Sequence, residues 1–312
     1  MNFSLAVTAV FPIMAFMLIG SLLNRVKLLS AVTLTEMNRF IYYICFPLVM
    51  VNSIYRANLS EAFDPAFLAV MILLVLLVAG ALIFILPRFF PQKPVLGSML
   101  QGMIRSNSIL FSFPVVIAIS GIEQTGLISL CIATVVPLYN VLCVIILEVL
   151  RGGKLNYPRL FLGIVKNPVI IGTLAGLAVK VSGLVLPAFA EKPIADIAAL
   201  VTPLALILLG AGLRFTDTMK YRRELAVVIA VKLLLAPLLF VLVVRFMGFG
   251  PVAVTTAMAF SAVPTAISSY VQAREMQADG VLAGQIVAVT TVLSMGTLFL
   301  WVSILSGIGW IG

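Results

Sequence analysis

The chain has 312 residues, 62% of them hydrophobic and 10% charged, with a formal charge of +9 and a mean hydropathy of +1.22. A soluble fold of this size cannot bury so much apolar surface, so lipid must be part of its solvent. The chain has no histidine, which removes the usual base or ligand of zinc-hydrolase, Ser-His-Asp and Cys-His chemistry, and its basic residues are spread along short segments rather than gathered on one soluble face, which excludes a nucleic-acid partner.

Spanning a bilayer takes about 20 apolar residues per helix. Ten segments qualify, at roughly 5–23, 37–54, 66–86, 97–120, 127–150, 161–181, 194–213, 225–246, 251–273 and 282–305. The first lacks a positive leading region, and its apolar run passes Gly20, too long for a signal peptide. It reads as a mature span. The links are short and rich in proline, glycine or charge, as at 91–94, 151–154 and 248–251. The three cysteines, Cys45, Cys131 and Cys143, fall inside apolar segments and read as small core residues, so neither a disulfide nor a metal site is expected.

Basic residues set the orientation. The odd-numbered links carry Arg25, Lys27, Arg88, Lys93, Arg151, Lys154, Arg159, Lys166, Arg214, Lys220, Arg222, Arg223 and Arg274. The even-numbered links carry only Arg56, Lys192 and Arg245, with Lys180 at a helix end. The positive-inside rule puts the odd links in the cytoplasm and both termini outside.

The halves match each other at a shift of 156 residues. Pro12 falls on Pro168, Gly20 on Gly176, Pro47 on Pro203 and Thr134 on Thr290. Proline and glycine matches carry weight because these residues mark kinks and close helix contacts. Five helices per half force the second half to enter the membrane upside down. The expected fold is therefore an all-α polytopic membrane protein built as two inverted five-helix repeats, residues 1–150 and 151–312.

Segments 97–120 and 251–273 each carry a proline near mid-length, Pro114 and Pro264. A mid-helix proline leaves a carbonyl unpaired, and freed backbone groups in the membrane must find partners or line a polar, protein-enclosed cavity. Around the first break lie Arg105, Ser106, Asn107, Ser108 and Ser112; around the second lie Ser261, Thr265, Ser268, Ser269 and Tyr270. If the two helices cross there, four half-helix ends meet, and the N-terminal ends suit an anion. Asn107 and Asn140 can hydrogen-bond a carboxylate; interhelical bonding is the alternative for each. Arg105 either attracts the anion as a gate or snorkels to the cytoplasmic face. Lys232, in the eighth span, is a weaker case of the same choice, with snorkelling favoured. Acidic residues are scarce within the spans, which weakens a sodium or proton site made of carboxylates; backbone carbonyls at the breaks remain a route to one.

Arg105-x-Asn107 followed by Ser112-x-Pro114 resembles the fourth-helix pattern of the auxin efflux carrier family, which usually has glycine where this chain has Ser112. The stretch from Pro264 through 268–276, then Asp279 and 290–294, resembles that family's ninth and tenth helices, and 203–213 its seventh. The resemblance covers essentially the whole chain. It implies a fold related to bile-acid symporters and sodium/proton antiporters, with crossed broken helices 4 and 9. A scaffold of helices 1, 2, 6 and 7 (about 5–54 and 161–213), often dimeric, would hold a transport domain of helices 3–5 and 8–10 (about 66–150 and 225–305). The plant members export auxin and have an Asn-Pro-Asn break. Here the asparagine precedes the proline by seven residues, so auxin contacts are not carried over. Bacterial relatives are linked to malate, malonate or similar carboxylates.

These readings converge on a multi-pass carrier of the cell (inner) membrane, not an enzyme, with no cofactor. It would move a small organic anion such as malate, malonate or an auxin-like acid by elevator-like alternating access. Asn107, Ser106, Ser108, Ser112, Pro114, Asn140, Ser261, Pro264, Thr265 and Ser268 are the expected binding residues, and Arg105 the gate. A sodium-coupled symporter of the bile-acid type is the alternative. Substrate identity, direction, coupling ion and oligomeric state are not fixed by the sequence.

Overall fold

The computed structural model describes residues 3–56, 64–151, 168–212 and 218–311, together with Pro158, Leu162 and Val165. Lys154, Arg159, Lys166, Arg214 and most of the start of the sixth expected span lie outside them. The described residues are helical throughout, with one isolated antiparallel bridge and no strand. We label the helices α1 (Phe3–Arg25), α2 (31–56), α3 (Pro65–Ile85), α4a (Lys93–Ile104), α4b (108–120), α5 (Gly126–Arg151), α6 (Pro168–Val181), α7 (Ala188–Gly212), α8 (Arg222–Phe246), α9a (Pro251–Ser261), α9b (Ser268–Glu275) and α10 (Gly280–Gly307). Five of them are long and apolar enough to cross a membrane: α3 with the 3₁₀ turn that follows it, α5, α7, α8 and α10. Shorter apolar helical stretches lie within α1, α2, α4b and α9a. The chain is a polytopic membrane protein.

Local sequence fixes the helix ends. Asp64 caps α3 by accepting from the Phe67 N–H at 2.9 Å, with Pro65 in the first turn, where its missing N–H costs nothing. Asp279 caps α10 in the same way through Leu282. Gly121 ends α4b at φ 84°, a left-handed angle that suits glycine.

Three of the prolines widen helices without breaking them. π-turns at Ile41–Cys45, Ser108–Ser112 and Ala230–Leu235 each end two residues before a proline: Pro47, Pro114 and Pro237. The ring would clash with the carbonyl four residues back, and the wider turn relieves that clash. In α8 the carbonyl four residues before Pro237 is Leu233, and the Trp301 indole of α10 donates to it at 2.9 Å.

Small residues set the closest contacts. α1 lies against α7, and α6 against α2. A Cβ at Gly20 would sit 1.9 Å from the Ile207 carbonyl oxygen, and one at Gly210 would sit 2.0 Å from that of Met17. A Cβ at Gly172 would meet the Pro47 backbone at 2.4 Å. These glycines let backbones touch where no hydrophobic effect drives helix against helix.

Candidate functional site

The two interrupted helices meet at their breaks. α4a stops at Ile104, Arg105 is extended (φ −89°, ψ 118°), and the helix resumes at Ser108. α9a stops at Ser261, and α9b starts at Ser268. The two gaps pair as a minimal antiparallel ladder. Ser106 bridges Thr265, and the Asn107 N–H donates to the Pro264 carbonyl at 2.8 Å. The Thr265 hydroxyl donates to the Gly102 carbonyl at 2.6 Å, and the Thr265 N–H donates to Thr290 Oγ1 of α10 at 3.3 Å. Backbone groups released by one break are thus satisfied by the other, as membrane burial requires.

One expectation is corrected here. The first break lies at 105–107, not at Pro114. Pro114 opens the straight part of α4b, half-buried, behind the π-turn. The asparagine that seemed too far from a proline in sequence therefore faces one in space, because Pro264 comes from the other helix.

Side chains divide between two faces. Successive residues of an extended segment point to opposite sides. Arg105 donates to Gln272 Oε1 of α9b and, at 2.6 Å, to Asn140 Oδ1 of α5. Ser106, next in line, receives the Lys232 ammonium from α8. Arg105 is thus held across three helices. Lys232 does not snorkel: it is 2% exposed, and Ser106 is its hydrogen-bond partner. No carboxylate pairs with it among the described residues. It sits in the α8 π-turn, whose cause, Pro237, lies five residues on. That Lys-to-Pro spacing was the available signal; a lone lysine in an apolar run hides it.

The other expected residues gather less evenly. Asn107, Ser108 and Ser112 are buried at the break, and the Asn107 Nδ2 and Ser112 Oγ atoms have no hydrogen-bond partner among the described residues. Ser261 turns back to the Ala257 carbonyl of its own helix at 2.6 Å, and Ser268 is half-buried at the start of α9b. Gln101, which the sequence reading passed over, reaches from α4a to the Ser269 carbonyl at 2.6 Å. Tyr139 is buried beside Ser106, its ring 5.5 Å from that of Phe260. A small cavity of ≈20 Å³ is lined by Met103, Ile104, Ser106, Tyr139, Lys232 and Ser261, with Val75, Val78, Ala236 and Phe240. That is room for about one water. A groove of ≈530 Å³ between α3 and α8 is apolar apart from Arg223 and stands outside the crossing, though Val78 and Ala236 line both. No group of three or more metal-ligating side chains occurs among the described residues.

Comparison with known proteins agrees with the architecture. The family model described as "Membrane transport protein" matches residues 5–302. A protein of Rhizobium meliloti (strain 1021) named "Putative malonate transporter" is 23% identical over 303 residues, covering 92% of each chain. The match spans nearly the whole sequence, and what it describes is a transporter rather than an enzyme: the chain belongs to the auxin efflux carrier family of membrane transport proteins.

Proposed function

We propose that this protein is a secondary carrier of small organic anions, with a carboxylate bound at the crossing of the two interrupted helices. The observation that carries the reading is the buried Asn107 amide, without a partner among the described residues, two positions along the chain from Arg105. A buried donor without a partner is costly, and a carboxylate accepts from an amide and a guanidinium together. The N-terminal ends of α4b and α9b add partial positive charge at the same place. Ser108, Ser112, Asn140, Thr265 and Ser268 complete the polar surroundings, with Pro114 and Pro264 shaping the backbone and Ser106 and Ser261 on the Lys232 side of the break. The relative's name points to malonate within this class; malate and auxin-like acids share its chemistry.

The same reading takes the fold as two inverted five-helix repeats. The exchange of partners supports it: first-half α1 packs on second-half α7, and second-half α6 packs on first-half α2, each through glycine. Helices α1, α2, α6 and α7 act as the scaffold, and also as the surface of a homodimer. The remaining helices travel as an elevator-like transport domain. The basic links put both termini outside an inner membrane.

The test is uptake of radiolabelled malonate into proteoliposomes, wild type against Asn107→Ala. One charge-assisted hydrogen bond is worth about 1.5–3 kcal/mol, so uptake should fall about 10-fold or more, with an unchanged elution profile. Unaltered uptake by Asn107→Ala would remove the site; no saturable uptake of any mono- or dicarboxylate by wild type would remove the function.

A further inference from the structure

Two helix C-termini converge on Lys232. α4a ends at Ile104 and α9a at Ser261, and residues from both ends line the cavity that holds the ammonium. The last carbonyls of a helix have no intrahelical partner. Each C-terminus is equivalent to about half a negative charge. Two of them make a site of roughly one negative charge, which one monovalent cation neutralises. Such paired carbonyl ends are where a coupling ion would bind in a carrier built on broken helices. Here the protein supplies a side chain of its own. Lys232 enters from α8 through a π-turn, and its hydrogen-bond partner among the described residues is the hydroxyl of Ser106 at the centre of the break. It pairs with no carboxylate among the described residues, and the ends of α4a and α9a share its cavity.

We propose that the Lys232 side chain fills the place of a coupling ion behind the break, so that the protein binds no sodium there and moves its substrate without it. The anion of the reading above would occupy the opposite face, with Arg105 and Asn107. The inference rests on that reading for the word transport, but not for the absence of a sodium site.

Two measurements separate the two claims. The first is thermal melting of purified wild-type protein in sodium, potassium and N-methylglucamine chloride at equal ionic strength, without substrate. Equal melting temperatures are expected. Stabilisation specific to sodium would overturn the inference, whatever the substrate proves to be. The second is malonate uptake in the same three salts by wild type, Lys232→Arg and Lys232→Gln. Wild-type uptake should be the same in all three, and Lys232→Gln should lose at least 10-fold in N-methylglucamine and regain part of it in sodium. Wild-type uptake that requires sodium, or Lys232→Gln uptake equal to wild type in every salt, would refute the role of Lys232. Should Lys232→Gln fail to fold, Lys232→Arg carries the variant arm: it keeps the charge and is expected to stay sodium-independent, and sodium stimulation of it would refute the role. Absence of malonate uptake in every salt would count against the carrier reading and leave the melting result to decide the cation site.

Discussion

Thr265 ties the two broken helices together, and its hydroxyl can be removed almost without changing shape. Thr265→Val deletes the donor to the Gly102 carbonyl at 2.6 Å, in a residue with no exposed surface. The orphaned acceptor costs about 1–3 kcal/mol. The substituted methyl carbon also cannot stay at that separation, since carbon and carbonyl oxygen settle at about 3.3–3.6 Å even in close contact. Pushing α4a away adds an overpacking cost, for a total of about 2–4 kcal/mol. Thr265→Ser keeps the hydroxyl and loses one methyl group, worth about 0.8 kcal/mol. Melting of the purified variants in detergent should rank wild type first, serine next and valine last by a wide margin. Malonate uptake should follow the same order, because the crossing is where the anion is proposed to bind. A serine variant that melts at or below the valine variant would show that packing, not the hydrogen bond, holds the crossing together.

Other expectations are simpler. Gly210→Ala places a Cβ 2.0 Å from the Met17 carbonyl oxygen, so α1 and α7 must part, and the melting temperature should fall by the equivalent of about 1–3 kcal/mol. Gly80→Ala is its control: nothing lies within 4 Å of that Cβ, and the gain in helix propensity should leave the protein equal or more stable by up to about 1 kcal/mol. Asp279→Ala removes both the cap on Leu282 and the acceptor for the Tyr221 hydroxyl, each at 2.9 Å; melting should show a loss of about 1–2 kcal/mol, much of it restored in Asp279→Asn.

Membrane character, the two interrupted segments and the polar cluster at 105–108 were all legible in the sequence, because apolar length and polar residues inside it are one-dimensional signals. The exact seat of the first break was not. Pro114 looked like the breaker, yet the chain lets go at Arg105–Asn107, because those three residues gain a partner strand from Pro264–Thr265 that only the tertiary fold provides. Lys232 was misread for a related reason. Snorkelling is the sound default for a lone lysine in a span, and it is overridden by the contact with Ser106 in a cavity formed by the ends of α4a and α9a, neither of which is near it in sequence. The contact of Arg105 with Asn140 and Gln272 likewise joins three helices whose mutual placement no local pattern encodes.

The π-turns carry a consequence for how such chains tolerate insertion and deletion. A π-turn is an α-helix holding one extra residue, with the helix on either side close to its original phase. At 41–45, 108–112 and 230–235 the helix already accommodates that surplus. Loss of a single residue there should close the turn to ordinary α geometry and keep the downstream faces aimed as before, whereas the same loss within α3 or α10 would rotate every later side chain by about 100°. Single-residue gaps between this chain and its relatives are therefore expected at these three turns. One consequence concerns the crossing itself: Ser106 and Asn107 lie before the second turn and Val115 and Val116 after it, so the polar break and the apolar packing behind it can change length independently of one another.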